Sequence, residues 1–117
     1  MWASTRDEPP ATVTIAWALD AHDTTIVDLT GDICTVTVQR IRTLLADVAE
    51  TSPGNVAIDA SAVTFIDGRG LALLLATQNR LAERQLRCRV VNPSRTVRKL
   101  FELVHLDDRL YKRVGYE

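Results

Sequence analysis

The stretch Asn55–Arg84, NVAIDASAVTFIDGRGLALLLATQNRLAER, decides the fold. Val56, Ala57 and Ile58 form an apolar run ending at Asp59, and Val63 to Ile66 form a second ending at Asp67. The pattern predicts a buried strand, a short acidic crossing and then a helix. Gly68 and Gly70 bracket Arg69 before Leu71 opens that helix, so the segment is a strand-to-helix turn with a carboxylate on its strand side. The start of a helix presents unpaired N–H groups and partial positive charge, which favours an acid, and Asp67 is placed to cap it. A cation is disfavoured there, yet Arg69 occupies the same turn.

Upstream of this stretch, Ser52-Pro53-Gly54 stops a helix in which Val38, Ile41, Leu44, Leu45 and Val48 recur at helical spacing, with Arg40, Arg42, Asp47 and Glu50 opposite. Earlier still, Thr12 to Trp17 and Thr25 to Leu29 are short runs with β-branched residues, separated by the polar Asp20–Asp23, and they predict an antiparallel pair. Gly31-Asp32 reads as a turn. Downstream, Cys88 to Val91 is a fourth strand, Asn92-Pro93-Ser94 is a turn whose Ser94 caps the next helix, and Val97, Leu100, Phe101 and Val104 give that helix a buried stripe. Strands alternating with helices after an initial hairpin imply an α/β fold, a mixed β-sheet with helices packed mainly on one face.

A chain of 117 residues with 46% hydrophobic content suffices for one core and not for two. Residues 1–11 are polar and Pro-containing and read as a flexible tail, not a secretory signal, which leaves 12–117 as a single domain. The longest apolar run, Leu71 to Ala76, is far short of the roughly 20 residues a membrane span needs, so no membrane insertion is expected. Both features point to the cytoplasm. Cys34 and Cys88 lack C-x-x-C spacing and read as packed thiols in preference to a disulfide or half a zinc site.

The net charge of −1 conceals an uneven distribution. Residues 1–68 hold three basic and ten acidic side chains, whereas 69–99 hold eight basic and one acidic. Gathered on one side, the basic set would attract an acidic protein surface, a phosphate-bearing ligand or anionic lipid; dispersed, it is a solvated surface that balances the acidic half. Few aromatics and no named signature argue against nucleic acid.

Motifs for catalysis are missing from the sequence. His22 and His105 have no Cys, Glu or His at ligand spacing and read as surface or half-packed side chains. Gly68-x-Gly70 lacks the third glycine of a dinucleotide fingerprint and the Lys-Ser/Thr of a phosphate loop. Asp59 and Asp67 would form a carboxylate pair only if the fold joined them, and a strand-terminal Asp is more often a helix cap. No enzyme activity, cofactor or metal is expected.

The pattern V-T-F-I-D-G-R-G-L-A-L-L-L resembles the STAS domain of anti-sigma factor antagonists, in which a strand ending in D-S-S-G leads into an L-x-x-L-L helix. It matches at Val63, Phe65, Ile66, Asp67, Gly70, Leu71, Leu74 and Leu75 and, with the order of elements, covers roughly residues 12–111. The leucine-containing turn that closes the family's domain matches Leu106 to Tyr111. Gly68 stands at the first serine and Arg69 at the second, the one a partner kinase phosphorylates. Cys34 stands where the family usually carries an acid, after a Gly-x-x pattern that Gly31 fits.

The resemblance implies a non-catalytic regulator that binds an anti-sigma factor, a serine kinase-like protein, to free a sigma factor. With Arg69 at the phosphoacceptor position, the serine switch is expected to be absent, and Thr64 and Thr77 are the nearest substitute hydroxyls. The family also contains subunits associated with phospholipid ABC transporters, modules of larger signalling complexes and nucleotide- or anion-binding members, which are the alternatives.

At 100° per residue, Leu71, Leu74, Leu75, Leu81 and Ala82 share one face of the central helix with Gln78, and Arg69, Leu73, Ala76, Thr77, Arg80 and Arg84 share the other. The first face is expected in the core. The second, with Leu73 as an exposed apolar side chain among arginines, is expected to contact a partner, so Asp67, Gly68, Arg69, Leu73, Thr77 and Arg80 are the candidate docking residues. A lone exposed leucine without a partner is the plainer reading of Leu73.

Overall fold

The computed structural model describes residues 13–104, with side chains from Trp17 onward. Its elements are β1 (Val13–Leu19), β2 (Thr25–Ile33), α1 (Val38–Thr51), β3 (Val56–Ile66), α2 (Gly68–Glu83), β4 (Cys88–Val91) and α3 (Arg95–Leu103). The strands lie in the order β1-β2-β3-β4, with β1 antiparallel to β2 and the other two pairs parallel. Each parallel pair is joined through a helix, because a tight hairpin cannot return the chain to run in the same direction.

Period-two alternation sends Val27 and Leu29 of β2, Val56, Ile58 and Ala60 of β3, and Cys88 and Val90 of β4 to one face. Ile41 and Leu45 of α1, Leu74 and Leu81 of α2, and Val97 and Phe101 of α3 join the same cluster, so the helices cover that face as expected. Each large aliphatic buried there contributes about 1.5–3 kcal/mol of transfer free energy. The other face carries exposed Asp28, Thr30 and Arg89 and half-buried Asp59.

Two local expectations are overturned. Gly31-Asp32 is no turn: β2 continues to Ile33, Gly31 has φ 105°, and the pairing with β3 shifts register between Asp28 and Thr30 and again between Gly31 and Asp32. Such irregularity is a bulged strand, which uses the same residue types as a turn. Nor is there an acidic crossing after Ile58. β3 runs unbroken for 11 residues through Asp59, whose carboxylate lies on the open face and accepts the Ser61 N–H (2.9 Å), the Ser61 hydroxyl (2.7 Å) and the Asn92 amide (3.1 Å). Burial pushes the Asp59 pKa up, but the Ser61 and Asn92 bonds outweigh it and hold the carboxyl below its usual range.

Elsewhere the periodicity holds with trimmed ends. Val38, Ile41, Leu45 and Val48 are buried while Leu44 is exposed, and Val97 and Phe101 are buried while Val104 is exposed. Ser94 caps α3 by accepting the Val97 N–H. His22 is exposed in the β1–β2 turn, where its N–H and that of Thr24 bond the Asp20 carboxylate and lower its pKa. Among the described residues no helix is long and apolar enough to cross a membrane. The 1–11 tail, His105 and the Leu106–Tyr111 turn lie outside the described residues.

Both cysteines are free thiols; Cys34 is half-buried, and burial pushes Cys88 up to about 12. Alkylation requires the thiolate and access to it. Iodoacetamide at pH 8 is therefore expected to label Cys34 in the native protein and Cys88 only in guanidinium, as read by peptide mass spectrometry; native labelling of Cys88 would show that β4 opens.

Candidate protein-docking site

The carboxyl ends of β2 and β3 converge with the start of α2, and Asp67 ties them together. Its N–H donates to the Ile33 carbonyl (3.1 Å), one carboxylate oxygen accepts the Gly70 N–H (3.0 Å), and the other accepts the Thr35 N–H (3.3 Å). The expected cap is thus present, and it also holds the β2–α1 loop. That loop is closed from its other side by Thr37, 3% exposed, whose hydroxyl donates to the Asp32 carbonyl (2.6 Å) and accepts the Cys34 N–H (3.0 Å). The Thr64 hydroxyl donates to the Asp32 carboxylate (2.5 Å), a further tie between β3 and β2.

Gly70 permits this approach. A Cβ there would lie 2.6 Å from Ile33 Cγ2, 2.8 Å from the Ile33 carbonyl oxygen and 2.9 Å from Ile66 Cγ1. Gly68 has nothing within 4 Å of its would-be Cβ.

On this braced frame stand exposed side chains that nothing in the fold requires. Val36 is 66% exposed and Phe65 48% exposed, with Thr35, Thr64, Gly68 and Arg69 also exposed. Arg69 makes no hydrogen bond or ion pair among the described residues. Two apolar side chains beside an unpaired guanidinium form a surface that can bind an apolar and acidic partner. Sequence reasoning missed both Val36 and Phe65. Val36 is a single apolar residue in a polar loop, and Phe65 is turned outward because β3 breaks its alternation, Thr64 and Phe65 both being exposed.

The opposite face of α2 is not the open surface expected. Leu73 is 8% and Thr77 3% exposed, because α2 is covered by the sheet on one side and by α1 on another, which widens its buried arc. The Thr77 hydroxyl donates to the Leu73 carbonyl (2.9 Å) and is buried, so it is no accessible phosphate acceptor. Leu75 is only half-buried and Ala82 is exposed, the converse error on the face assigned to the core. Arg84 is committed to the fold: its guanidinium donates to the Ala49 (2.8 Å) and Ser52 (2.9 Å) carbonyls and closes the end of α1. Arg80 pairs with Glu50.

The geometry holds little for catalysis. Asp59 and Asp67 are eight residues apart along one extended strand and its end, roughly 25 Å, and form no pair. Among the described residues no three His, Cys, Asp or Glu side chains group to hold a metal. The basic residues are dispersed, with Arg89 on the open sheet face and Arg69 and Arg80 on α2 across the sheet.

A family model described as the STAS domain matches residues 16–116. No curated protein matches the chain in sequence. Among solved structures, an anti-sigma factor antagonist from Mycobacterium paratuberculosis is 28% identical with TM-score 0.76, covering 85% of this chain and 83% of its own. The unphosphorylated anti-sigma factor antagonist SpoIIAA is 23% identical with TM-score 0.68, covering 80% and 82%. The murine anion transporter Slc26a9 is 16% identical with TM-score 0.65, and the match covers 80% of this chain but 16% of the transporter. The last two likenesses concern the fold alone.

Asp67→Ala is expected to cost about 1–2 kcal/mol in urea unfolding and to speed amide exchange at both Thr35 and Gly70. Gly70→Ala is expected to cost about 1–3 kcal/mol from overpacking, whereas Gly68→Ala should stay within about 0.5 kcal/mol. Equal effects of the two glycine substitutions would contradict the close approach of α2 to Ile33.

Proposed function

The chain belongs to the STAS domain family, and we propose that it is a non-catalytic cytoplasmic regulator of the anti-sigma factor antagonist type, which docks an anti-sigma factor and thereby frees a sigma factor. The observation that carries this reading is the exposed trio Val36, Phe65 and Arg69, held on three segments by Asp67 and Asp32. Exposed apolar side chains raised on a hydrogen-bonded frame are preorganised for a partner, since little ordering is needed on contact.

Arg69 sets the regulation. Where the family's pattern has a phosphorylated serine, this chain has a side chain that takes no phosphate and carries the opposite charge. A phosphate would add roughly −2 charge at the start of α2 and break a contact with an acidic partner, whereas a guanidinium pairs with a partner carboxylate. The domain therefore binds its anti-sigma factor constitutively. A role as a transporter-associated subunit is the second reading, motivated by the likeness of fold to the domain within the murine transporter.

The test is binding of the purified chain to the anti-sigma factors of its own organism, with sigma release followed and with ATP present. Phe65→Asp and Arg69→Glu are each expected to lose about 2 kcal/mol of binding, roughly thirty-fold, with the fold unchanged. Wild type should gain no phosphate. Stoichiometric phosphate on the wild type with loss of the complex would overturn the reading, and co-purification of transporter subunits in place of an anti-sigma factor would favour the second.

A further inference from the structure

Between α1 and α2 runs a groove of about 140 Å³, lined by Arg42 and Ala46 of α1 and Leu73, Ala76, Thr77 and Arg80 of α2. Its floor is apolar and small, and a guanidinium stands on each helix beside it. On α2, residues 69, 73, 76 and 80 fall within an arc of about 60°, so Arg69 heads the same stripe and Arg80 lies about 16 Å further along the axis. Leu73, 8% exposed, lies between them, so the groove and the surface formed by Val36, Phe65 and Arg69 are two patches aligned along α2.

Two of the three arginines along these patches have no acidic partner among the described residues. Among the described residues Arg42 is bonded only to the neutral Gln39 amide oxygen (3.1 Å), and Arg69 has no partner. Neither helix has an acid in its first turn, the Asp67 carboxylate that caps α2 is engaged by Gly70 and Thr35, and Glu50 and Glu83 sit toward the carboxyl ends of their helices. Asp47 of α1 faces a different groove, beside Trp17 and Leu19. Arg80 is paired with Glu50, but that pair is 45% and 65% exposed and so is weakly held against a competing carboxylate.

We infer that this seam receives an acidic helix of the docking partner, with one partner carboxylate at Arg69 and another entering between Arg42 and Arg80 in place of Glu50. The inference rests on the docking reading above and names the partner's chemistry. Ala46 and Ala76 let the partner backbone come close, and Glu50 acts as an internal placeholder that tunes affinity. Three turns of helix, about 16 Å, span the distance from Arg69 to Arg80.

The experiment places the photo-crosslinking residue p-benzoylphenylalanine at Phe65 or at Ala76 of the full chain, irradiates each with the bound anti-sigma factor, and sequences the joined peptides. Both positions should crosslink, with Ala76 joined to a helical segment bearing two or more Asp or Glu. The double variant R42E/R80E should bind about ten-fold more weakly, and Glu50→Gln, which leaves Arg80 unpaired, should bind several-fold more tightly, the gain fading as salt is raised. Crosslinking from Phe65 alone, with affinity unmoved in R42E/R80E and in Glu50→Gln, would overturn the seam and leave the docking surface standing. No crosslink from either position would remove both, and saturable binding of inorganic phosphate in the groove with no crosslink from Ala76 would assign the arginines to a small anion.

Discussion

The meeting of β2, β3 and α2 depends on how closely α2 starts against the end of β2. Gly70 allows it, since any side chain there would strike Ile33 and Ile66, and Asp67 secures it by bonding Ile33, Thr35 and Gly70 at once. A carboxylate with both oxygens engaged inside the chain is a brace and not a free acid. Remove that close approach, and the β2–α1 loop and the β3–α2 turn become two independent segments. With it, they present Val36, Phe65 and Arg69 as one surface.

Asp59, Asp67, Thr37 and Thr77 have their side-chain oxygens bonded within the fold, as is one carboxylate oxygen of Asp32. Arg84, just past the end of α2, closes α1, whereas Arg69 at the start of α2 has no partner among the described residues. Residues of one chemical type thus divide into those that hold the structure and those that face outward, and the division follows from which backbone carbonyls lie within reach. A guanidinium at the head of α2 is unfavourable toward the helix dipole, so Arg69 does not stabilise the start of that helix.

Much of the fold was legible in the residues themselves. Alternation marked the strands, 3.6-residue periodicity marked the helices, and Asp67 and Ser94 were readable as caps because a cap is a local arrangement of a side chain and an N–H three residues away. The errors were also local in origin. Gly31-Asp32 resembles a turn because a bulge and a turn both call for an unusual backbone, and Asp59 resembles a strand end because its bond from the Ser61 N–H, two residues on, is one that turns also use.

By itself, then, the sequence determined the order of elements, the buried stripes, the helix starts and the replacement of a phosphorylatable serine by Arg69. These depend on neighbours within a few residues, and period and capping report them directly. Only the tertiary structure decided which face of α2 is open. A helical wheel has no knowledge of α1, whose packing buried Leu73 and Thr77, turned Arg84 into a cap and left a groove between Arg42 and Arg80. The exposure of Phe65 was likewise settled by a register shift between β2 and β3, a contact between residues more than thirty positions apart that no local pattern encodes.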